Sequence, residues 1–238
     1  MNDLDDHRPY CCDRWFAYLD LLGFTKLVES KYIEDVLSIY GEALNHMCDA
    51  CKFGQDKIGL NKAWFSDTFI IYSRSDSLED FKYLEQAARI FFEILIIKEI
   101  PVRGCISHGE LYAQAEQNIF VGPALIEAYK YGEALNWIGF CLAPSVEKKL
   151  KNDFPLDQWP FYRKVTDKDI LNKVADECLY VYAFAFNNAK TNNDENLYLS
   201  PLLSMKRNAS PEAAQKYENS LAFLLKNHTS WKETMGKS

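Results

Sequence analysis

Two aspartates stand where carboxylates are expensive. Asp20 lies inside the apolar run from Trp15 to Phe24 (WFAYLDLLGF), and Asp67 lies between two strand-like runs in Lys62 to Ser73 (KAWFSDTFIIYS). A carboxylate among Leu, Tyr and Phe is costly to bury unless a cation or several donors compensate it. Either Asp alone can serve as the cap of a turn or helix. On neighbouring strands of one sheet, the pair would form a hard-oxygen site suited to Mg²⁺ or Mn²⁺. The residues after Asp20 pass through glycine into a helix start at Leu22-Gly23-Phe24-Thr25. Free backbone N–H groups in such a turn, aided by the helix dipole, can hold a phosphate.

The elements that must position these groups follow from hydrophobic period and turn chemistry. The first run reads as a buried strand. Thr25 then caps a helix, and Ile33, Val36, Leu37, Tyr40, Leu44, Met47 and Cys48 carry it at helical spacing to about Lys52, with a break near Tyr32. The Lys62 to Ser73 segment predicts a hairpin with Ser66-Asp67 at its tip. A helix follows over 78–100, with Phe81, Leu84, Ala88, Phe91, Phe92 and Leu95 as its buried stripe. Then come a strand over 102–113, a short strand over 118–121, a helix opened by Gly122-Pro123 and running to about Leu135, a strand over 140–143 and a short helix from Pro144. Beyond Asp153 the pattern weakens. A strand is expected over 179–186 (LYVYAFAF), an exposed polar loop over 187–196, and a helix over 211–227 capped by Ser210.

The order β-α-β-β-α-β predicts an α+β, ferredoxin-like core, a mostly antiparallel sheet with helices on one face. One domain over residues 1–238 is expected, its core at about 13–150 and a C-terminal extension at about 151–238. A net charge of −7 gives no general pull towards nucleic acid or anionic lipid. The first residues carry no apolar signal-peptide core, and Ile90 to Ile97 is too short to span a bilayer and is broken by Glu93. A cytoplasmic protein with no membrane or nucleic-acid partner is expected, its seven cysteines reduced.

Four segments in this order resemble the class III nucleotidyl cyclases, the family of adenylate and guanylate cyclases. FAYLDLLGF (16–24) resembles that family's F-x-D-I-x-G-F segment, and FSDTF (65–69) its I-G-D hairpin. VRGCISHG (102–109) resembles the L-R-x-G-I-x-x-G strand, and residues 120–130 fall where the family has a G-x-x-V-N-x-A-x-R helix. The resemblance implies two divalent metal ions, Mn²⁺ or Mg²⁺, held by Asp20, Leu21 and Asp67. It implies that Leu22, Gly23, Phe24 and Thr25 bind the phosphates of a nucleoside triphosphate. One metal would polarise the ribose 3′-hydroxyl for attack on the α-phosphate, and the other would hold the pyrophosphate leaving group. It also implies a homodimer with shared active sites.

Departures from the family pattern fall in the half of the site that reads the base. The family's transition-state Asn aligns with Ile126, and its Arg with Lys130, which keeps charge without the guanidinium fork. The base-selecting positions align with Ala63, beside Lys62, and with Ile119. Tyr18 or Trp64 would narrow such a pocket, although Trp64 could equally point into the core. This combination, with the RGCISHGE strand (103–110), is similar to the bacterial pyrimidine cyclases of Pycsar anti-phage systems. That resemblance implies turnover of UTP or CTP, with a lean to UTP, and a separate effector that responds to the cyclic nucleotide. The expected catalytic side chains are Lys130 and Arg103; Arg103 is suited equally to pairing with a carboxylate or to contacting phosphate. The alternatives are a purine cyclase, or a cyclase-like binding domain whose catalysis is lost. Ile126 favours the last; retention of both aspartates opposes it.

Other candidates have simpler readings. Cys48 and Cys51, near His46, form a C-x-x-C within an amphipathic helix, where buried cysteine is the default over zinc. His108 reads as a structural or rim histidine, and Tyr180, Tyr182, Phe184 and Phe186 read as sheet core.

Overall fold

The computed structural model describes residues 11–51, 60–174, 177–184 and 197–235, without the side chains of 50, 51 and 228–235. Its organising strand is β1 (Cys11–Leu21), in which every residue from Arg14 to Leu21 is buried. A strand apolar on both faces belongs in the middle of a sheet. Accordingly β1 pairs antiparallel with β3 (Thr68–Ser73) on one side and with β4 (Val102–Gln114) on the other. Strand β2 (Leu60–Phe65) joins β3 through the turn at Ser66-Asp67, the expected hairpin. Strands β6 (Gly139–Leu142), β7 (Tyr162–Val165) and β8 (Leu179–Tyr182) complete the order β2-β3-β1-β4-β6-β8-β7, and β5 (Ile119–Val121) pairs with β4. Among the described residues only the β4–β6 pair is parallel, so the sheet is mostly antiparallel and the α+β class is as expected.

Among the described residues eight helices dress this sheet: α1 (Phe24–Ser30), α2 (Ile33–Cys51), α3 (Leu78–Ile97), α4 (Pro123–Ala134), α5 (Pro144–Leu150), α6 (Lys168–Leu171), α7 (Leu199–Arg207) and α8 (Pro211–Met235). The break expected near Tyr32 separates α1 from α2. Thr25 does not cap the first helix: Gly23, in the left-handed conformation at φ 72°, precedes it, and no side chain closes its start. Among the described residues no helix is long and apolar enough to cross a membrane.

The two-residue period of β1 sorts its side chains. Trp15 meets Phe81 of α3 with ring centroids 4.7 Å apart, and Phe69, opposite Leu19, stacks on Phe91 of α3 at 4.2 Å. Phe16, Tyr18 and Asp20 point the other way, where Tyr18 meets Tyr129 of α4 at 5.5 Å. Ser107, the partner of Phe16, donates to the Ala124 carbonyl at 2.6 Å. Helices therefore lie on both faces, where the sequence placed them on one. The reason is that β1 and β4 are apolar on both sides and need α4 as a second cover. Glycine permits this packing: a Cβ on Gly104 would lie 2.2 Å from the Tyr18 carbonyl, and one on Gly132 of α4 would lie 3.0 Å from the Tyr18 ring.

The later part of the chain joins the same core. Strand β7 and helices α6 and α7 had no clear periodic signal. The strand expected over 179–186 ends at Tyr182, Phe184 takes φ 52°, and residues 185–196, including the expected polar loop, lie outside the described residues. A buried polar network ties these strands to α3. Arg89 bridges Glu85 at 3.1 Å and Glu93 at 3.6 Å, the Tyr162 hydroxyl donates to Glu85 at 3.1 Å, and the Tyr182 hydroxyl donates to Glu93. Burial pushes the Glu85 pKa up to about 7, against the pull of Arg89. The folded protein then keeps a proton that the unfolded chain releases near its ordinary value, so that contribution is full below that value and is lost as pH rises through about 7. Glu85→Gln, which still accepts from Tyr162, should flatten the fall in stability between about pH 5 and pH 8. The effect expected in urea unfolding is on the order of 3 kcal/mol; identical pH profiles for the variant and the parent would contradict it.

Candidate metal and nucleotide site

Asp20 is the penultimate residue of β1, and Asp67 occupies the turn between β2 and β3. Register brings them together: Asp20 is the partner of Thr68, the residue after Asp67. The Leu21 N–H donates to the Asp67 carbonyl at 2.9 Å, so the two backbones are tied directly. Asp20 is 9% exposed and Asp67 is half-buried.

The Asp20 carboxylate does not stand alone. Across the β1–β4 pair Arg103 is its partner, and the Arg103 Nε–H donates to Asp20 Oδ2 at 3.1 Å. The same guanidinium donates to the Glu133 carboxylate and, at 3.3 Å, to the Glu133 carbonyl on α4. The Tyr18 hydroxyl also donates to Glu133, at 3.2 Å. Of the two readings open for Arg103, the structure shows the carboxylate pair. Burial raises the Asp20 pKa above its ordinary value; Arg103 offsets this, while Glu133 and Asp67 add to it. Two carboxylates, Asp20 and Glu133, thus share a single guanidinium at one edge of the sheet, with the Asp67 turn tied beside them.

Sequence reasoning missed two members of this neighbourhood. Glu133 sits in the last turn of α4, where an acidic residue is ordinarily solvated, and only the crossing of α4 over Arg103 reveals it. Lys216 reaches the site from α8. One turn along, Ser220 accepts the Ile138 N–H at 2.7 Å, next to Gly139, the register partner of Arg103. Burial lowers the Lys216 pKa, with Arg103 as the next cause, and Glu133 and Asp20 act in the opposite sense.

Other expected residues are placed as follows. Gly23, Phe24 and Thr25 form the turn and first residues of α1, but the Leu22 N–H is already given to the Pro101 carbonyl at 2.8 Å and is not free for phosphate. Lys130 is exposed on α4, 3.7 Å from Glu177, and Ile126 is 65% exposed on the same helix. Ala63 pairs with Ile70, itself the partner of Tyr18, so it shares the face of Asp20. Phe120 packs on Tyr72 of β3 at 5.6 Å and so shares that face, whereas strand alternation turns its neighbour Ile119 to the opposite one. Lys62 does not join them: strand alternation turns it to the other face, where its Nζ meets Cys48 Sγ of α2 at 3.2 Å. Trp64 shares that opposite face and packs on Tyr40 of α2 at 4.8 Å, leaving Tyr18 as the aromatic beside Asp20.

No protein-family model matches the chain, and no curated protein matches it. Solved structures do. The chain is similar to the monomeric guanylyl cyclase domain of the RhoGC fusion protein from the aquatic fungus Blastocladiella emersonii, with a TM-score of 0.51 and 14% identity over 71% of this chain and 94% of that one. It is also similar to an adenylate/guanylate cyclase/hydrolase from Silicibacter pomeroyi, with a TM-score of 0.49 and 12% identity over 72% of this chain and 95% of that one. The fold is that of the class III adenylyl and guanylyl cyclase domains.

The Asp20–Arg103–Glu133 cluster makes a test of its electrostatics available. Arg103→Ala removes the cation between two carboxylates that are largely buried, and should lower stability by about 2–4 kcal/mol in metal-free urea unfolding. Adding Mg²⁺ or Mn²⁺ should restore part of that loss in the variant and do less for the parent. Equal stability of the two proteins without metal would show that the cluster needs no cation.

Proposed function

We propose that the protein is a nucleotide cyclase, converting a nucleoside triphosphate into its 3′,5′-cyclic monophosphate and pyrophosphate. The observation that carries this is the backbone tie between Leu21 and Asp67, which fixes two acidic residues at one edge of a cyclase-type sheet. Asp20, Asp67 and the Leu21 carbonyl offer a hard-oxygen donor set that fits Mg²⁺ or Mn²⁺. Bound there, two such ions supply Lewis acidity at the ribose hydroxyl and charge neutralisation at the leaving pyrophosphate.

The chain's own residues do the rest. Asp20 and Asp67 fix the position of the reacting end of the substrate. The N–H groups of Gly23, Phe24 and Thr25 face the phosphates. Arg103, paired with Asp20 and Glu133, is the guanidinium beside the metal-binding edge and would contact the triphosphate from there. Tyr18 lines the sugar-and-base side on the same face. Lys130 acts from a second copy on negative charge developing at the α-phosphate. The exposed Phe65, Val121, Ile126 and Tyr129 support the homodimer that this requires, because large apolar side chains in that number favour burial against a partner.

The base is a pyrimidine in this reading, UTP ahead of CTP. Ala63 and Phe120, on the face of Asp20, present no hydrogen-bonding side chain with which to select a purine, and a site built on such bonds is what rejects the wrong base strongly. The cyclic nucleotide would act as a second messenger in anti-phage defence, through a separate effector chain. The exposed Ile126 supports the second reading, a binding domain without catalysis, if nothing replaces the amide expected there.

Incubation with equimolar ATP, GTP, CTP and UTP and Mn²⁺, followed by mass analysis, should give cyclic UMP or cyclic CMP in excess. Asp67→Asn should lower the rate on the order of 10³-fold or more. Excess cyclic AMP or cyclic GMP would overturn the pyrimidine assignment alone. Near-normal turnover by Asp67→Asn would overturn the mechanism. No cyclic product from a dimer would leave the non-catalytic reading, and activity from a monomer would remove the shared site.

A further inference from the structure

At the other end of β1, a second set of ligand-bearing side chains converges from three elements. Asp13 of β1, Asp76 of the β3–α3 connection and His108 of β4 each place a ligand atom within 4.8 Å of the others. Register builds the cluster. Trp15 is the partner of His108, and Asp13, two residues earlier on β1, shares their face of the sheet. That face carries α3 and is opposite to the one that carries Asp20, seven residues along the strand.

His108 and the turn that carries Asp76 are held in place, while Asp13 is exposed. The His108 ring lies against the Trp15 ring at 4.6 Å, and the His108 backbone N–H donates to Ser145 Oγ at 2.9 Å. The turn that carries Asp76 is fixed on both sides: the Ser75 N–H donates to Asp80 Oδ2 at 3.0 Å, and the Trp15 Nε1–H donates to the Ser77 carbonyl at 2.8 Å. His108 Nε2 is fully buried and has no hydrogen-bond partner. It stands 3.7 Å from Asp76 Oδ2, too far for a hydrogen bond. Two tetrahedral ligands at about 2.1 Å from one ion are separated by roughly 3.4 Å, so a few tenths of an ångström of closure would bring both onto a metal. The positive charge now at Asp76 is the ammonium of Lys149. Burial, with Lys149 next, lowers the His108 pKa, while Asp13 and Asp76 act in the opposite sense.

We infer that Asp13, Asp76 and His108 form a second divalent-metal site, separate from the proposed catalytic one, with Zn²⁺ as its ion and water completing the tetrahedron. One imidazole and two carboxylates bind Zn²⁺ well, whereas Mg²⁺ prefers an all-oxygen octahedron. Such an ion would clamp the start of β1 to β4 and to the β3–α3 connection, and would displace Lys149 from Asp76. This inference is independent of the cyclase reading and does not need turnover.

The test is calorimetric titration of the full chain with Zn²⁺ in excess Mg²⁺, which occupies hard-oxygen sites. The wild-type protein should bind one Zn²⁺ per chain. Asp76→Asn and His108→Gln should each weaken binding at least tenfold. Lys149→Met, which removes the competing cation without removing a ligand, should tighten binding several-fold, a change that a merely structural lysine would not produce. Equal Zn²⁺ affinity in wild type, Asp76→Asn and His108→Gln would overturn the site, as would weaker binding by Lys149→Met or no binding by the wild type.

Discussion

The constraint on which the structure turns is the charge of Asp20. The residue belongs to a strand buried on both faces, and a carboxylate there needs a cation or a set of donors. Everything near it answers that need. Arg103 faces it across the β1–β4 pair, Glu133 reaches down from α4 to hold the other side of the guanidinium, and Leu21 ties the strand to the Asp67 turn. The arrangement is electrically incomplete: the Asp20 and Glu133 carboxylates share one arginine, and the Asp67 turn lies beside them.

The packing serves the same end. Gly104 and Gly132 let α4 press onto the sheet beside Tyr18, and that contact carries Glu133 to Arg103. The buried Glu85–Arg89–Glu93 network joins α3 to β7 and β8, so the second half of the chain completes the core. Helix α8, anchored by Ser220 on Ile138, brings Lys216 to the edge of the acidic cluster. The C-terminal segment is therefore part of the site's surroundings.

Much of this was legible in the sequence where the signal is local. The apolar run around Asp20, the Ser66-Asp67 turn between two strand-like segments, and the Gly122-Pro123 helix start each declare themselves within a few residues. The faces were harder. Strand alternation alone separates Ala63 from Lys62, and it places Trp64 on Tyr40, yet alternation matters only once the neighbouring strand is known. Glu133 carries no local signal, because its partner lies 30 positions away on β4. Strand β7 is short and irregular in pattern; its place is set by Tyr162 reaching the buried Glu85 on α3. The Asp13–Asp76–His108 cluster is likewise a product of register, invisible until Trp15 is set opposite His108.

The central claim is that Asp20 and Asp67 together hold the divalent ions that a nucleotide needs. The most direct measurement is Mn²⁺ binding, followed by electron paramagnetic resonance, with a non-cyclising triphosphate analogue present. The account predicts that the parent protein binds Mn²⁺ tightly only with the analogue, and that Asp20→Asn and Asp67→Asn each remove nucleotide-dependent ions while remaining folded. Retention of the same number of nucleotide-dependent Mn²⁺ ions in both variants would contradict it.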